Sequence, residues 1–214
     1  KIKRQAPRQL TSATPESQGI REVEIIVVDD QSKDNSHEIA KSFQYPVTAF
    51  RLSQNGGVAN ARNYGISKAR GRYIALLDQD DIFLPNKLKE QVNIMQADST
   101  LVLCHGNILV VNEHGMPIEH DKLGHQSPPP SGLVTKELFE WNHVLACTTL
   151  FRKDAFLKAG GFNVSLWGTD DYEMWLNLSL QGNFKYIDEI IAKYRWHDSN
   201  ASKRDALMIF NRMS

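Results

Sequence analysis

Cysteine is scarce: Cys104 and Cys147 are the only 2 thiols in 214 residues, and they form no CxxC pair. That excludes a disulfide framework or a thiolate zinc site and reads as buried thiols in a reducing cytoplasm. Net charge is lacking as well. Lys plus Arg number 25 and Asp plus Glu number 25, so no field of one sign favours nucleic acid or an acidic membrane. No apolar run nears the roughly 18 residues that span a bilayer. The composition that remains, 41% hydrophobic and 23% charged, is globular and excludes collagen-like, fibrous and disordered classes.

Residues 1–20 carry Lys1, Lys3, Arg4 and Arg8 with no acid before Glu16 and no apolar periodicity, which reads as a basic arm or remnant. Val23–Val28 (VEIIVV) is a β-branched run ending in Asp29 and Asp30, the pattern of a parallel strand buried on both faces. A helix with Ile39, Ala40 and Phe43 follows, then a strand at Val47–Leu52. Gly56-Gly57 opens a helix over Val58–Arg70, whose Ala61, Gly65 and Ala69 allow close approach to a sheet. Tyr73–Leu77 is a strand ending in Asp78, Asp80 and Asp81, and Pro85 starts a helix with Leu88, Val92 and Met95 on one side. This alternation is an α/β pattern with right-handed crossovers.

The second half is mixed. Strand over Leu101–Val111, a Pro-rich loop expected to be mobile over Gly124–Gly132, and a short helix over Leu133–Trp141 lead to a strand at Thr148–Phe151. Helices follow at Asp154–Ala159 and Asp170–Gln181, the latter capped by Thr169 with Tyr172, Trp175, Leu176 and Leu180 as its buried stripe. The chain reads as one domain over 21–214, with halves at 21–98 and 99–214.

Two strands ending in paired carboxylates carry the chemistry. Ligands of open α/β sheets bind at the carboxyl ends of the strands, so Asp29, Asp30, Asp78, Asp80 and Asp81 are expected to crowd one rim. Crowded carboxylates raise each other's pKa unless a cation intervenes, and Mg²⁺ or Mn²⁺ with a diphosphate would resolve the repulsion. Helix capping by Asp30 or Asp34 is the plainer alternative. His105, His114, His120 and His125, spaced by nine, six and five residues, fit no metal-ligand motif and read as solvated or loop residues. Gly56-Gly57 has neither the GxGxxG nor the GxxxxGKS spacing.

The run Val27-Val28-Asp29-Asp30-Gln31-Ser32 resembles the VVDDxS of family 2 glycosyltransferases. Asn55-Gly56-Gly57 with Ala61-Arg62-Asn63-Tyr64-Gly65 looks like their NxGxxxARNxG, and Asp78-Gln79-Asp80-Asp81 with Pro85 is similar to their DxDD…P. Gly160-Gly161-Phe162, then Asp170-Asp171-Tyr172 with Trp175, and finally Arg195, His197 and Asn200 match later segments in family order. The resemblance implies a GT-A (Rossmann-like) fold: a mostly parallel sheet with helices on both faces and a mixed C-terminal acceptor lobe. It implies that Asp30 meets the uracil of a UDP-sugar, Arg62 lies near the nucleotide, and Asp78 meets the ribose or sugar. Asp80 would bind Mn²⁺ or Mg²⁺, with His197 either completing the metal or phosphate contacts or packed as a satisfied imidazole. Asp171 would be the general base with Asp170 beside it, and Trp167 would stack on the acceptor. Family members usually have Glu where Asp170 stands.

The implied reaction is metal-dependent, inverting, single-displacement transfer of a hexosyl or related group from a nucleotide-diphospho-sugar to a saccharide or lipid-linked saccharide hydroxyl. The implied setting is bacterial surface-polysaccharide synthesis in the cytoplasm, at the inner face of the membrane or away from it, with room for peripheral membrane association and for a homodimer. A non-catalytic relative and a sugar-phosphate nucleotidyltransferase are the rival readings. One departure stands out: residues 1–20 show nothing like the family's opening VSVIIPxYN strand. The expectation is a sheet lacking the strand beside Val23–Val28, with further residues upstream and a chain that is an incomplete catalyst as it stands.

Overall fold

The computed structural model describes residues 23–43, 46–119, 127–198 and 200. The basic arm, His120 and His125 therefore lie outside the described residues. Strand β1 (Ile25–Asp29) pairs in parallel with β2 (Val47–Arg51), in register from Ile25 opposite Val47 to Asp29 opposite Arg51. Between them runs α1 (Ser36–Ser42). After β2 comes α2 (Gly57–Lys68), which packs on β1. Gly65 is why it can: a Cβ there would stand 3.2 Å from the Val28 side chain. Burial of β1 on both faces is not met among the described residues, where Ile25 is 42% exposed and only Asp29 is buried. The physical reason is that β2 is its single described neighbour.

A second, five-stranded sheet has the order β3-β6-β5-β7-β4. It is built from β3 (Tyr73–Ala75), β4 (Ile82–Phe83), β5 (Leu101–Val111), β6 (Leu150–Arg152) and β7 (Asn183–Arg195). β5 and β7 are parallel, and the other pairings are antiparallel. No strand among the described residues joins β1 to β3. Helix α3 (Lys87–Ala97) lays Leu88, Val92 and Met95 against Leu101, Cys104 and Leu150, the stripe its periodicity predicts.

The main core gathers Phe151, Phe156, Phe162 and Trp175, with ring centroids 5.2–5.9 Å apart along Phe162–Phe156–Phe151–Trp175. It is closed by α4 (Thr135–Glu140), α5 (Lys153–Lys158) and α6 (Asp170–Ser179). The stripe of α6 differs from expectation. Met174, Trp175 and Leu178 are buried while Leu180 is 70% exposed, because at 100° per residue it falls on the side of the helix opposite those three. His105, expected to be solvated, is fully buried in β5 beside His143 and Tyr186, since β5 is covered on both faces. No helix among the described residues is long and apolar enough to cross a membrane.

Candidate active site

The turn after β3 separates its carboxylates. Asp78 accepts two hydrogen bonds from Nη2 of Arg62, at 3.0 and 3.1 Å. Asp80 Oδ2 lies 2.9 Å from His197 Nε2. Asp81 is buried and accepts the backbone N–H of Arg195 at 3.0 Å. Burial, with Asp78 and Asp80 adding to it, pushes the Asp81 pKa up to about 6 although the Arg195 N–H opposes the rise. Each acid thus has a protein partner of its own, while Asp78 and Asp80 still press the Asp81 pKa upward.

The end of β7 fixes this turn. Arg195 donates from Nε to the Asp80 carbonyl at 3.0 Å and from Nη1 to the carbonyls of Asn112 and Glu113. Asn200, 7% exposed, donates to the Arg195 carbonyl and accepts the His197 N–H, closing the turn that carries His197 to Asp80.

Asp30 behaves differently from Asp78 and Asp80. Its two oxygens accept the N–H groups of Gly56 and Gly57 at 2.8 Å each, so it holds the start of α2. Asn55 donates back to the Asp30 carbonyl, and Asp29 accepts the Ser32 N–H and pairs with Arg51. Asp34 precedes the N-cap Asn35, which makes no side-chain cap bond, and its Oδ1 accepts the N–H and hydroxyl of Ser36, the first residue of α1. A carboxylate has about four lone-pair sites, so Asp30 keeps acceptor capacity beyond its capping bonds. An open groove lined by Ser32, Lys33, Arg51, Ser53, Gln54 and Asn55 adjoins it.

At the start of α6, Asp170 is buried and pairs with Arg62 Nη1 at 3.3 Å. Asp171 is half-buried, and its Oδ1 accepts the Tyr172 N–H at 2.7 Å. Burial drives the Asp171 pKa up to about 6, with Arg62 opposing and Asp170 and Asp78 adding to the rise. Burial also raises Asp170 against the pull of Arg62. Burial alone would lower Arg62, but Asp78, Asp171 and Asp170 hold its pKa above the usual value. Thr169, expected as a side-chain cap, makes no cap hydrogen bond. Trp167 is half-buried in the loop before α6, next to Gly168 at φ 75°.

The fold thus brings Arg62, Asp78 and Asp170 together, with Asp171 next to Asp170, and separately pairs Asp80 with His197, while Asp30 sits just beyond β1 with contacts of its own. The sequence places Asp81 only among the rim acids and gives no role of their own to Asn63, Arg195 or Asn200. Asn63, Arg195 and Asn200 stand in the sequence only as motif letters; Arg195 joins segments 82 to 115 residues apart, whereas the bonds of Asn200 to Arg195 and His197 are local. The metal fits in a limited sense. Among the described residues no group of three or more His, Cys, Asp or Glu side chains converges as a cage. Asp80 and His197, side by side at the rim, would be the residues to hold a divalent ion, since Mg²⁺-type sites commonly take only one or two protein ligands beside phosphate.

The sequence model for glycosyl transferase family 2 matches residues 10–160. The chain belongs to that family. The match begins inside the segment read as a basic arm and covers the β1, α2 and β3 motifs. An uncharacterized glycosyltransferase of Rickettsia felis is 30% identical over 191 residues, which is 88% of this chain and 32% of the relative. Chondroitin synthase of Pasteurella multocida is 28% identical over 188 residues, 87% of this chain and 19% of that protein. Among solved structures, S. aureus TarS 1–349 in complex with UDP superposes with a TM-score of 0.62 at 18% identity, covering 89% of this chain and 56% of that one. That likeness fixes the GT-A fold class, and this chain spans about a third of the Rickettsia relative's length.

Proposed function

We propose that this family 2 chain moves a sugar from a UDP-sugar to an acceptor hydroxyl by metal-dependent, inverting displacement, in the assembly of a bacterial surface polysaccharide. One observation carries the reading. Arg62 pairs with Asp78, in the turn that also carries Asp80 and its partner His197, and with Asp170, the residue before Asp171.

The donor half is supported by Asp30 beside its groove, where spare acceptor capacity suits the imide N–H of uracil. The UDP in the TarS complex is consistent with the same donor class. Mn²⁺ or Mg²⁺, held by Asp80 and His197, would supply charge neutralisation for the leaving diphosphate. Asp78, held by Arg62, would meet the ribose or sugar. Asp171 takes the acceptor proton: a carboxylate with a pKa near 6 is mostly ionised at pH 7 yet more basic than an ordinary Asp. Direct displacement with the base on the acceptor side needs no covalent intermediate and inverts the anomeric centre. Trp167, in the loop leading to that base, offers the stacking surface for a saccharide.

Calorimetry of UDP with and without Mn²⁺ tests the donor half. The unaltered protein is expected to bind UDP more tightly with Mn²⁺, and Asp80→Ala to lose that difference while keeping its fold. Equal metal dependence in both proteins would remove Asp80 from the site.

A further inference from the structure

We infer that Arg62 is a positioning residue whose single guanidinium clamps the base-bearing start of α6 to the donor rim at Asp78. The inference rests on the transferase reading above and goes beyond it, because it gives Arg62 a role on the protein rather than on the nucleotide.

The geometry is that of a bridge. Nη2 reaches both oxygens of Asp78, at 3.0 and 3.1 Å, while Nη1 reaches Asp170 at 3.3 Å, so one planar fork spans two acids from different halves of the chain. The Arg62 side chain is 12% exposed and lies 5.6 Å over the Phe162 ring. The next residue of α2 makes a second fastening. Asn63 donates to the Phe162 carbonyl at 2.7 Å and accepts the Phe162 N–H at 2.9 Å, tying α2 to the segment that leads into α6.

Asp170 is itself too enclosed to serve an acceptor, with a side chain 3% exposed. Its position is explained by what it holds. With Asp170 anchored, the first turn of α6 is fixed, and Asp171 beside it faces Arg62, Asp170 and Asp78 as its charged neighbours. Lysine could not replace the bridge, since an ammonium is a point charge without the fork that spans two carboxylates.

The test uses Arg62→Lys, Asp170→Asn and the double variant, with the UDP-sugar that the unaltered protein turns over fastest. Arg62→Lys is expected to bind UDP within about threefold of the unaltered protein and to lose kcat by about tenfold or more, since the lost interaction serves the chemical step. The acid limb of its kcat profile should move to higher pH, as Asp171 loses its nearest well-placed cation. Asp170→Asn should lose kcat with unchanged UDP affinity, and the double variant should fall within about threefold of Arg62→Lys, because the residues act as one unit. Weakened UDP binding with kcat retained would make Arg62 a donor ligand and overturn the inference. So would multiplicative losses in the double variant. If Arg62→Lys does not fold, Asp170→Asn alone decides, and unchanged kcat there refutes the clamp. Absence of turnover in the unaltered protein would instead sink the transferase reading and this inference with it, an outcome visible before any variant is made.

Discussion

Asp171→Asn should make the protein more stable and less active at the same time. In the folded chain the Asp171 pKa stands at about 6 against an ordinary value of 3.8, chiefly through burial. At about 1.4 kcal/mol per pKa unit, that rise corresponds to roughly 3 kcal/mol, shared with the neighbouring Asp170, Asp78 and Arg62. The sign follows from linkage. Below the unfolded pKa both states hold the proton and nothing is lost. As pH climbs through the folded value, the native state must ionise a group it prefers neutral, and the full penalty is present above about pH 6. Asn removes the ionisation, and its Oδ1 can still accept the Tyr172 N–H. Urea unfolding at pH 8 should therefore show the variant more stable by up to about 3 kcal/mol, with the difference vanishing near pH 4. Transfer should fall by at least about 10²-fold, the scale for a general base. A variant no more stable than its parent at pH 8 would refute the electrostatic argument. Near-normal turnover would move the base elsewhere.

In the unaltered protein, the acid limb of kcat should lie near pH 6 rather than near 4, read from a rate profile in matched ionic strength. Trp175→Ala, which empties the fully buried centre of the main core, should cost about 3–5 kcal/mol by urea unfolding. Gly106→Ala should destabilise by about 1–3 kcal/mol in the same assay, because its Cβ would meet Ile191 Cδ1 at 2.8 Å and two carbonyls of β7 at 3.1 Å.

The local half of this architecture is legible in the chain. The strand β1 follows from its continuous β-branched run, and the small-residue face of α2 and the stripe of α3 from a period of 3.6 residues. The acids at Asp78–Asp81 and Asp170–Asp171 are legible as motifs. What joins them is not. β7 escaped the reading because Asp188 and Glu189 interrupt its alternation and its pairing with β5 shifts register around Gly106 and Asn107. The Arg62–Asp170 pair spans 108 residues, and nothing local marks it. Asp30 reads as a ligand-facing acid, yet its carboxylate caps α2, because the chain reversal at Gly56-Gly57 brings two N–H groups to it from 26 and 27 residues away. A polar core of Lys87, Gln91, His105 and His143 also lies where hydrophobic patterning predicts nothing polar; burial brings the Lys87 pKa down to about 7.

The central claim is that this chain belongs to a transferase drawing on a nucleotide-diphospho-sugar with a divalent ion. A panel of nucleotide-sugars, scored for released nucleoside diphosphate with Mn²⁺ and again with EDTA, tests it most directly. The account predicts release from one or more UDP-sugars with Mn²⁺, increased by saccharide acceptors and abolished by EDTA. Release that is indifferent to EDTA, or confined to sugars carried on other nucleotides, would contradict it.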